Sequence, residues 1–218
     1  VGDKVSVSNK TCLLIAGSEI PEDVFPELVR LAKQSELVIC ADRGYAFAEK
    51  AGVRPDILIG DFDSYTGTLP DDIEILRSVP EKDDTDTMLA VKTAISRGVF
   101  KIVMYGGLGG RFDHTMANVQ TLVYALEHGC SMQLADGENV LTVQGTGLAE
   151  YPCIEGWYFS VFSLTPETIV RRMAGVKYPL ESYVLKSGFP LGVSNEITGG
   201  SAEIDIENGM LLIVYSKK

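Results

Sequence analysis

The sequence is poor in several things that would point elsewhere. It has two histidines, His114 and His128, among 218 residues. No HxxxH or Cys/His spacing suggests zinc. The four cysteines, Cys12, Cys40, Cys130 and Cys153, form no CxxC pair, and the first three lie in or beside apolar runs. Buried free thiols are expected, not a disulfide framework or a metal site. Basic charge is scarce: 19 Lys and Arg stand against 30 Asp and Glu, for a formal net charge of -11. That excludes the domain-wide basic footprint of a nucleic-acid binder. No apolar run is long enough to span a bilayer, and Val1 to Lys10 lacks the apolar region of a signal peptide. These absences predict a cytoplasmic protein with neither nucleic acid nor membrane as partner. A Walker A motif is missing too, and the first apolar run leads into GSEIPED, not GxGxxG. Ser160 and Ser163 lack any nucleophile-elbow context.

What is present changes character along the chain. With 45% hydrophobic residues, the chain can bury one large core or two modest ones. The first half alternates strand-like runs with helix-like ones. Thr11 to Gly17, Leu37 to Asp42, Asp56 to Gly60 and Lys101 to Tyr105 read as strands, with Ile73 to Val79, Ser131 to Ala135 and Val140 to Val143 as further candidates. PEDVFPELVRLAKQ from Pro21, Gly44 to Gly52, Thr85 to Arg97 and Asp113 to His128 read as helices. This alternation predicts a three-layer α/β domain with a mostly parallel sheet over residues 11–143. Beyond it no long helical period appears. Trp157 to Leu164, Ile169 to Met173, Val184 to Leu185, Ala202 to Ile206 and Leu211 to Tyr215 are short strand candidates, and the ENG at Glu207 to Gly209 predicts a hairpin turn. An all-β sandwich is expected over residues 144–218.

The chemistry concentrates in the first half, in four acidic stations. They are Asp42 in ADRG, Asp61 and Asp63 in GDFDS, Asp83, Asp84 and Asp86 in DDTD, and Asp113 in GGRFDH. Taken singly, each is compatible with a turn or a helix cap. Together they are not, because Asp42, Asp61, Asp63 and Asp113 all follow strands, and ligands of open α/β sheets bind beyond the carboxyl ends of strands. So many carboxylates repel one another unless a cation neutralises them. Mg²⁺ takes hard oxygen ligands and touches substrate phosphates, so a Mg²⁺–nucleotide site is expected. The loop GGLGGR fits that site. Gly107, Gly109 and Gly110 let backbone N–H groups approach an anion, and Arg111 adds a forked donor suited to phosphate. His114 is read as a phosphate-orienting group or a helix cap, and His128 as structural. The acceptor of any transferred group stays open at this point: a heteroaromatic alcohol or a pterin fits as well. A nucleotide-binding module without turnover is the rival of another class.

GDFDS, DDTD, GGRFDH, VKYPL (Val176 to Leu180) and GVSNE (Gly192 to Glu196), in this order, resemble the thiamine pyrophosphokinase (thiamine diphosphokinase) family. The resemblance runs from about Leu13 to Tyr215, with Gly107 where the family commonly has Ala. It implies transfer of a pyrophosphoryl group from ATP to the hydroxyethyl group of thiamine, with Mg²⁺ required and AMP released. It implies a homodimer whose active site lies at the subunit interface, between the α/β domain of one subunit and the β domain of the other. By the family pattern Asp42, Asp61, Asp63, Asp86 and Asp113 surround metal and phosphates, with Asp61, Asp63 and Asp86 as metal ligands. Arg111 contacts the phosphates, and Asp86, Asp113 and Arg111 are the catalytic candidates. Tyr178 matches the position that stacks on thiamine, and Ser194 and Asn195 match the thiamine-side segment.

Overall fold

The computed structural model describes residues 10–62, 65, 67, 69–77 and 84–218. Asp63 and Asp83 therefore lie outside the described residues. The chain divides into two compact units, Val1–Gly137 and Glu138–Lys218.

The first unit runs β1 (Lys10–Ile15), α1 (Phe25–Gln34), β2 (Leu37–Ala41), α2 (Gly44–Ala51), β3 (Ile57–Gly60), β4 (Glu74–Arg77), α3 (Asp86–Ser96), β5 (Val99–Tyr105), α4 (Phe112–Glu127) and β6 (Ser131–Ala135). Its strands lie in the order β6-β5-β1-β2-β3-β4, and every pairing is parallel. β1, β2 and β3 are apolar almost throughout because helices cover both faces of the sheet: Leu13, Leu14, Ile15, Ile39, Leu58 and Ile59 are all fully buried. From β1 the chain winds outward through β2 and β3, then returns through α3 to β5 on the other side of β1. With right-handed crossovers, α1 and α2 cover one face and α3 and α4 the other. The strand order therefore reverses between β1 and β5, and that is where such sheets open a ligand crevice.

Two helices show why the sequence places them here. α3 starts where the Thr85 side chain, outside the helix, accepts a hydrogen bond from Met88 N at 3.1 Å. It turns Ala90, Val91 and Ala94 into the core. The PEDVFPELVRLAKQ segment is broken at its start. Glu22–Val24 form a 3₁₀ turn, and the α-helix begins only at Phe25, with Pro26 in its first turn.

The second unit contains β7 (Asn139–Gln144), β8 (Gly147–Pro152), β9 (Trp157–Ser163), β10 (Glu167–Ala174), β11 (Leu180–Lys186), β12 (Gly192–Asn195), β13 (Ser201–Asn208) and β14 (Leu211–Lys217). The strands form two antiparallel sheets, β12-β9-β14-β7 and β11-β10-β13-β8. Phe159, Val161, Leu211, Ile213 and Tyr215 of one sheet share a core with Val170, Met173, Leu185, Ile204 and Ile206 of the other. One expectation is corrected. The ENG segment turns the chain, with Gly209 at φ +96°, but β13 and β14 do not pair as a hairpin. The turn carries the chain from one sheet to the other, and both alternating runs face the shared core. β8 and β12 went unread in the sequence because glycine, proline and polar residues dilute their alternation.

Candidate active site

A cleft of ≈ 950 Å³ opens in the first unit at the β1/β5 switch point. The loops that follow these strands are tied together: Ala16 N donates to Tyr105 O and Ser18 N to Gly106 O, both at 2.8 Å. Gly106, at φ +71°, makes this approach possible, since a Cβ there would run into the Ala16 carbonyl oxygen.

The acidic stations meet here. Asp42, Asp61 and Asp86 line the cleft together with Gly110, Arg111 and His114. Asp42 follows β2 with φ +50°, and its N–H donates to Ile59 O at 2.8 Å, which hangs the ADRG turn on β3. Its carboxyl is half-buried and within hydrogen-bonding reach of Asp86. Burial first, then Asp86 and the charge of Asp61, push the Asp42 pKa up to about 7. Gly60, at φ +149°, leaves that carboxyl its room: a Cβ on residue 60 would lie 2.6 Å from Asp42 Oδ1.

Arg111 and Asp113 form an ion pair at the start of α4, with Arg111 Nε donating to Asp113 Oδ1 at 3.1 Å. The guanidinium holds the Asp113 carboxyl below the usual carboxylate range. Asp113 is exposed and stands beside the cleft, reaching it through Arg111. In the glycine loop, the Gly109 carbonyl accepts from Thr115 Oγ1 at 3.3 Å and the Gly107 carbonyl from Asn118 Nδ2 at 2.7 Å. Asp84 is turned elsewhere, with both carboxylate oxygens 2.7 Å from Lys92 Nζ. His128 stacks on Tyr124 with ring centroids 4.0 Å apart.

The donor set suits a hard cation. Asp42 and Asp86 are neighbouring carboxyls, and Asp61 is a third oxygen donor in the same cleft. Among the described residues no three His, Cys, Asp or Glu side chains converge as a ready metal site, and Asp63 lies outside those residues.

The two C-terminal motifs also meet, within the second unit. Lys177 N donates to Glu196 O, and Thr198 N to Gly175 O, each at 2.8 Å. This lays the 175–178 segment alongside 195–198. Asn195 is buried, and its side chain clasps Tyr178: Oδ1 accepts from Tyr178 N at 3.0 Å and from Glu196 N at 2.9 Å, while Nδ2 donates to Tyr178 O at 2.9 Å. Tyr178 is 60% exposed, with Lys177 Nζ 5.7 Å from its ring centroid. Ser194 is exposed at φ +56°, and its N–H donates to Ser160 Oγ at 2.9 Å. Lys177 and Lys218 both pair with Glu196, and together they hold its carboxyl below the usual range.

Sequence reasoning missed Gly60, Arg43, Tyr65 and Asn118. The first is fitted to Asp42, and the other three line the cleft. Gly60 had a signal, as the glycine ahead of DFD. Asn118 had one too, one helical turn after His114.

Both halves of the chain resemble known proteins. The family model described as "Thiamin pyrophosphokinase, catalytic domain" matches residues 28–134, and "Thiamin pyrophosphokinase, vitamin B1 binding domain" matches residues 148–211. The chain is 28% identical to the thiamine pyrophosphokinase of Bacillus subtilis (strain 168), over 95% of this chain and 99% of that one. The crystal structure of the Bacillus subtilis thiamine pyrophosphokinase superposes with TM-score 0.83 at 26% identity, covering 96% of this chain and all (100%) of that one. That of the Geobacillus thermodenitrificans thiamin pyrophosphokinase gives 0.81 at 26% identity, covering 95% and 98%. With both halves matched by models of one family, the chain belongs to the thiamin pyrophosphokinase family.

Proposed function

We propose that this protein is a thiamine diphosphokinase, which transfers pyrophosphate from ATP to thiamine and gives thiamine diphosphate and AMP. The observation that carries the reading is the cleft at the switch point, where Asp42, Asp61 and Asp86 face the glycine loop and Arg111. Such a transfer needs positioned charge and an aligned nucleophile more than covalent chemistry from the protein. The hydroxyl oxygen of thiamine forms a bond to the β-phosphorus of ATP, the bond from that phosphorus to the α-phosphate oxygen breaks, and AMP leaves with the electron pair. The hydroxyl proton goes to a carboxylate, for which Asp86 and Asp113 are the candidates. Arg111, His114 and the backbone of Gly107, Gly109 and Gly110 receive the phosphates. Arg111 also keeps Asp113 deprotonated, so it stays a proton acceptor though a weaker base.

Asp61, Asp63 and Asp86 would hold Mg²⁺, with Asp42 beside them. The ion would neutralise phosphate charge and fix the bend of the triphosphate. The proximity of Asp42 and Asp86 supports this, since a cation there would offset the repulsion between neighbouring carboxylates.

In this reading the first unit is the nucleotide-binding, catalytic part, and the second unit, which includes β7, is the thiamine-binding and dimerisation part. Tyr178 offers an exposed ring to a flat, partly apolar and cationic ligand, and Asn195 fixes where that ring stands. Ser194 lies in the adjoining segment. The protein is a homodimer with each active site at the subunit interface. The outer edge supports this: Tyr183, Val184, Phe189 and Leu191 are exposed apolar residues around a hollow of ≈ 110 Å³ by the edge strand β11. Among the described residues no helix is long and apolar enough to cross a membrane. Free cysteines, three of them buried, fit the cytoplasm.

The test is turnover in Asp86→Asn and Asp113→Asn. Each should largely abolish thiamine-dependent ATP consumption while the protein keeps its melting temperature within a few degrees. Full activity in both would overturn the catalytic assignment.

A further inference from the structure

Asn118 stands on α4 one turn after His114, is only 6% exposed, and still lines the cleft. Its Nδ2 donates to the Gly107 carbonyl at 2.7 Å. A carbonyl oxygen accepts only from the nitrogen end of an amide, so this bond fixes which way round the side chain sits. Oδ1 is left with no partner among the described residues. It is not sealed in the core either, because no buried side-chain oxygen or nitrogen there lacks a partner. A side chain more than nine-tenths buried, in the lining of the cleft, thus carries one acceptor without a partner among the described residues.

An amide oxygen cannot pair with a phosphate oxygen, since both accept. Its partner is an N–H, an O–H or a metal ion, and a metal ion would accompany ATP and bare triphosphate alike. A nucleotide carries N–H and O–H groups on its ribose and its base, and a bare polyphosphate chain carries none. We propose that Asn118 reads the nucleotide with both ends of its amide. Nδ2 holds the glycine loop where the phosphates lie, and Oδ1 accepts a hydrogen bond from the ribose or base. The inference rests on the reading that this cleft takes ATP.

The two ends separate in a binding experiment. Affinities of the full-length protein for ATP and for inorganic triphosphate, both with Mg²⁺, are measured by calorimetry for the wild type, Asn118→Leu and Arg111→Ala. Leucine has the same branched skeleton of heavy atoms, with bulkier methyl ends, and neither polar end. Asn118→Leu should weaken triphosphate by about threefold through the loop, and ATP by about a further tenfold through the lost acceptor. Arg111→Ala should weaken both ligands equally. An ATP loss in Asn118→Leu no larger than the triphosphate loss overturns the proposal. A wild type that binds neither ligand overturns the nucleotide reading itself, a different failure. Asn118→Ala leaves space for a water on the Gly107 carbonyl and repeats the comparison should the leucine variant not fold.

Discussion

Gly60 and Asp42 are fitted to one another: residue 60 sits at φ +149°, and a Cβ on it would come within 2.6 Å of Asp42 Oδ1. Gly60→Ala must therefore displace the carboxyl or the turn that leads into Asp61. Sub-ångström misplacement of reacting groups is costly, and kcat/KM should fall about 10- to 100-fold. Gly107→Ala is the control, because its methyl would meet chiefly the flexible end of Met104, at 2.9 Å from Cε. It should retain activity within about twofold, since the side chain can yield. Equal effects of the two substitutions would contradict the fit.

The Asp42 carboxyl has its pKa raised, by burial first and then by Asp86, to about 7 from the ordinary 3.8. The unfolded chain therefore releases this proton before the folded one does. Stability is lost as pH rises from about 4 to about 7 and is level above that. Asp42→Asn removes the penalty. Without divalent metal its melting temperature should exceed the wild type's by a few degrees at about pH 8 and match it at about pH 4. The same difference at both pH values would show that Asp42 is not the group responsible.

Asn195 acts on Tyr178 through the backbone, with three amide contacts to Tyr178 and Glu196. Tyr178→Ala should raise the KM for thiamine about tenfold, the scale of a lost aromatic contact to a cationic ring. Asn195→Ala should do the same while also destabilising the protein by about 1–3 kcal/mol, because buried backbone groups lose partners. The KM for ATP should not move in either variant. Unchanged thiamine KM in Tyr178→Ala would remove the ring from the site.

If each site takes its nucleotide half from one subunit and its thiamine half from the other, two impaired variants can rescue each other when thiamine is held well below the wild-type KM. Asp86→Asn and Tyr178→Ala, mixed and refolded or co-expressed, should then reach about a quarter of wild-type activity, as random pairing of subunits allows, against about a twentieth from Tyr178→Ala alone in that mixture. No rise above that twentieth, with mixed dimers shown to be present, would place both halves in one subunit.

Much of this was legible in the sequence, for physical reasons. α3 and α4 were legible because periodic apolar positions end in glycines, Gly98 and Gly129, both at positive φ. β1, β2 and β3 were legible because a parallel sheet covered on both faces needs unbroken apolar runs. The meeting of Asp42 and Asp61 followed from strand ends sharing one edge, whereas Asp86 joins them from the first turn of α3. What the sequence concealed depends on three-dimensional approach. The room Gly60 leaves for Asp42, the grip of Asn118 on Gly107 and the clasp of Asn195 on Tyr178 join positions 11 to 18 residues apart. Asp113 looked like one more member of the acidic cluster, yet it is taken up by Arg111 two residues before it. The ENG turn looked like a hairpin because both flanking runs alternate, and alternation does not say which sheet a strand joins.

The most direct test is the identity of the products. Purified protein is incubated with ATP, Mg²⁺ and thiamine, and the nucleotide and thiamine species are separated and quantified over time. AMP and thiamine diphosphate should form in equal amounts, with no turnover when thiamine is left out. ADP with thiamine monophosphate would contradict attack at the β-phosphorus and, with it, the central claim.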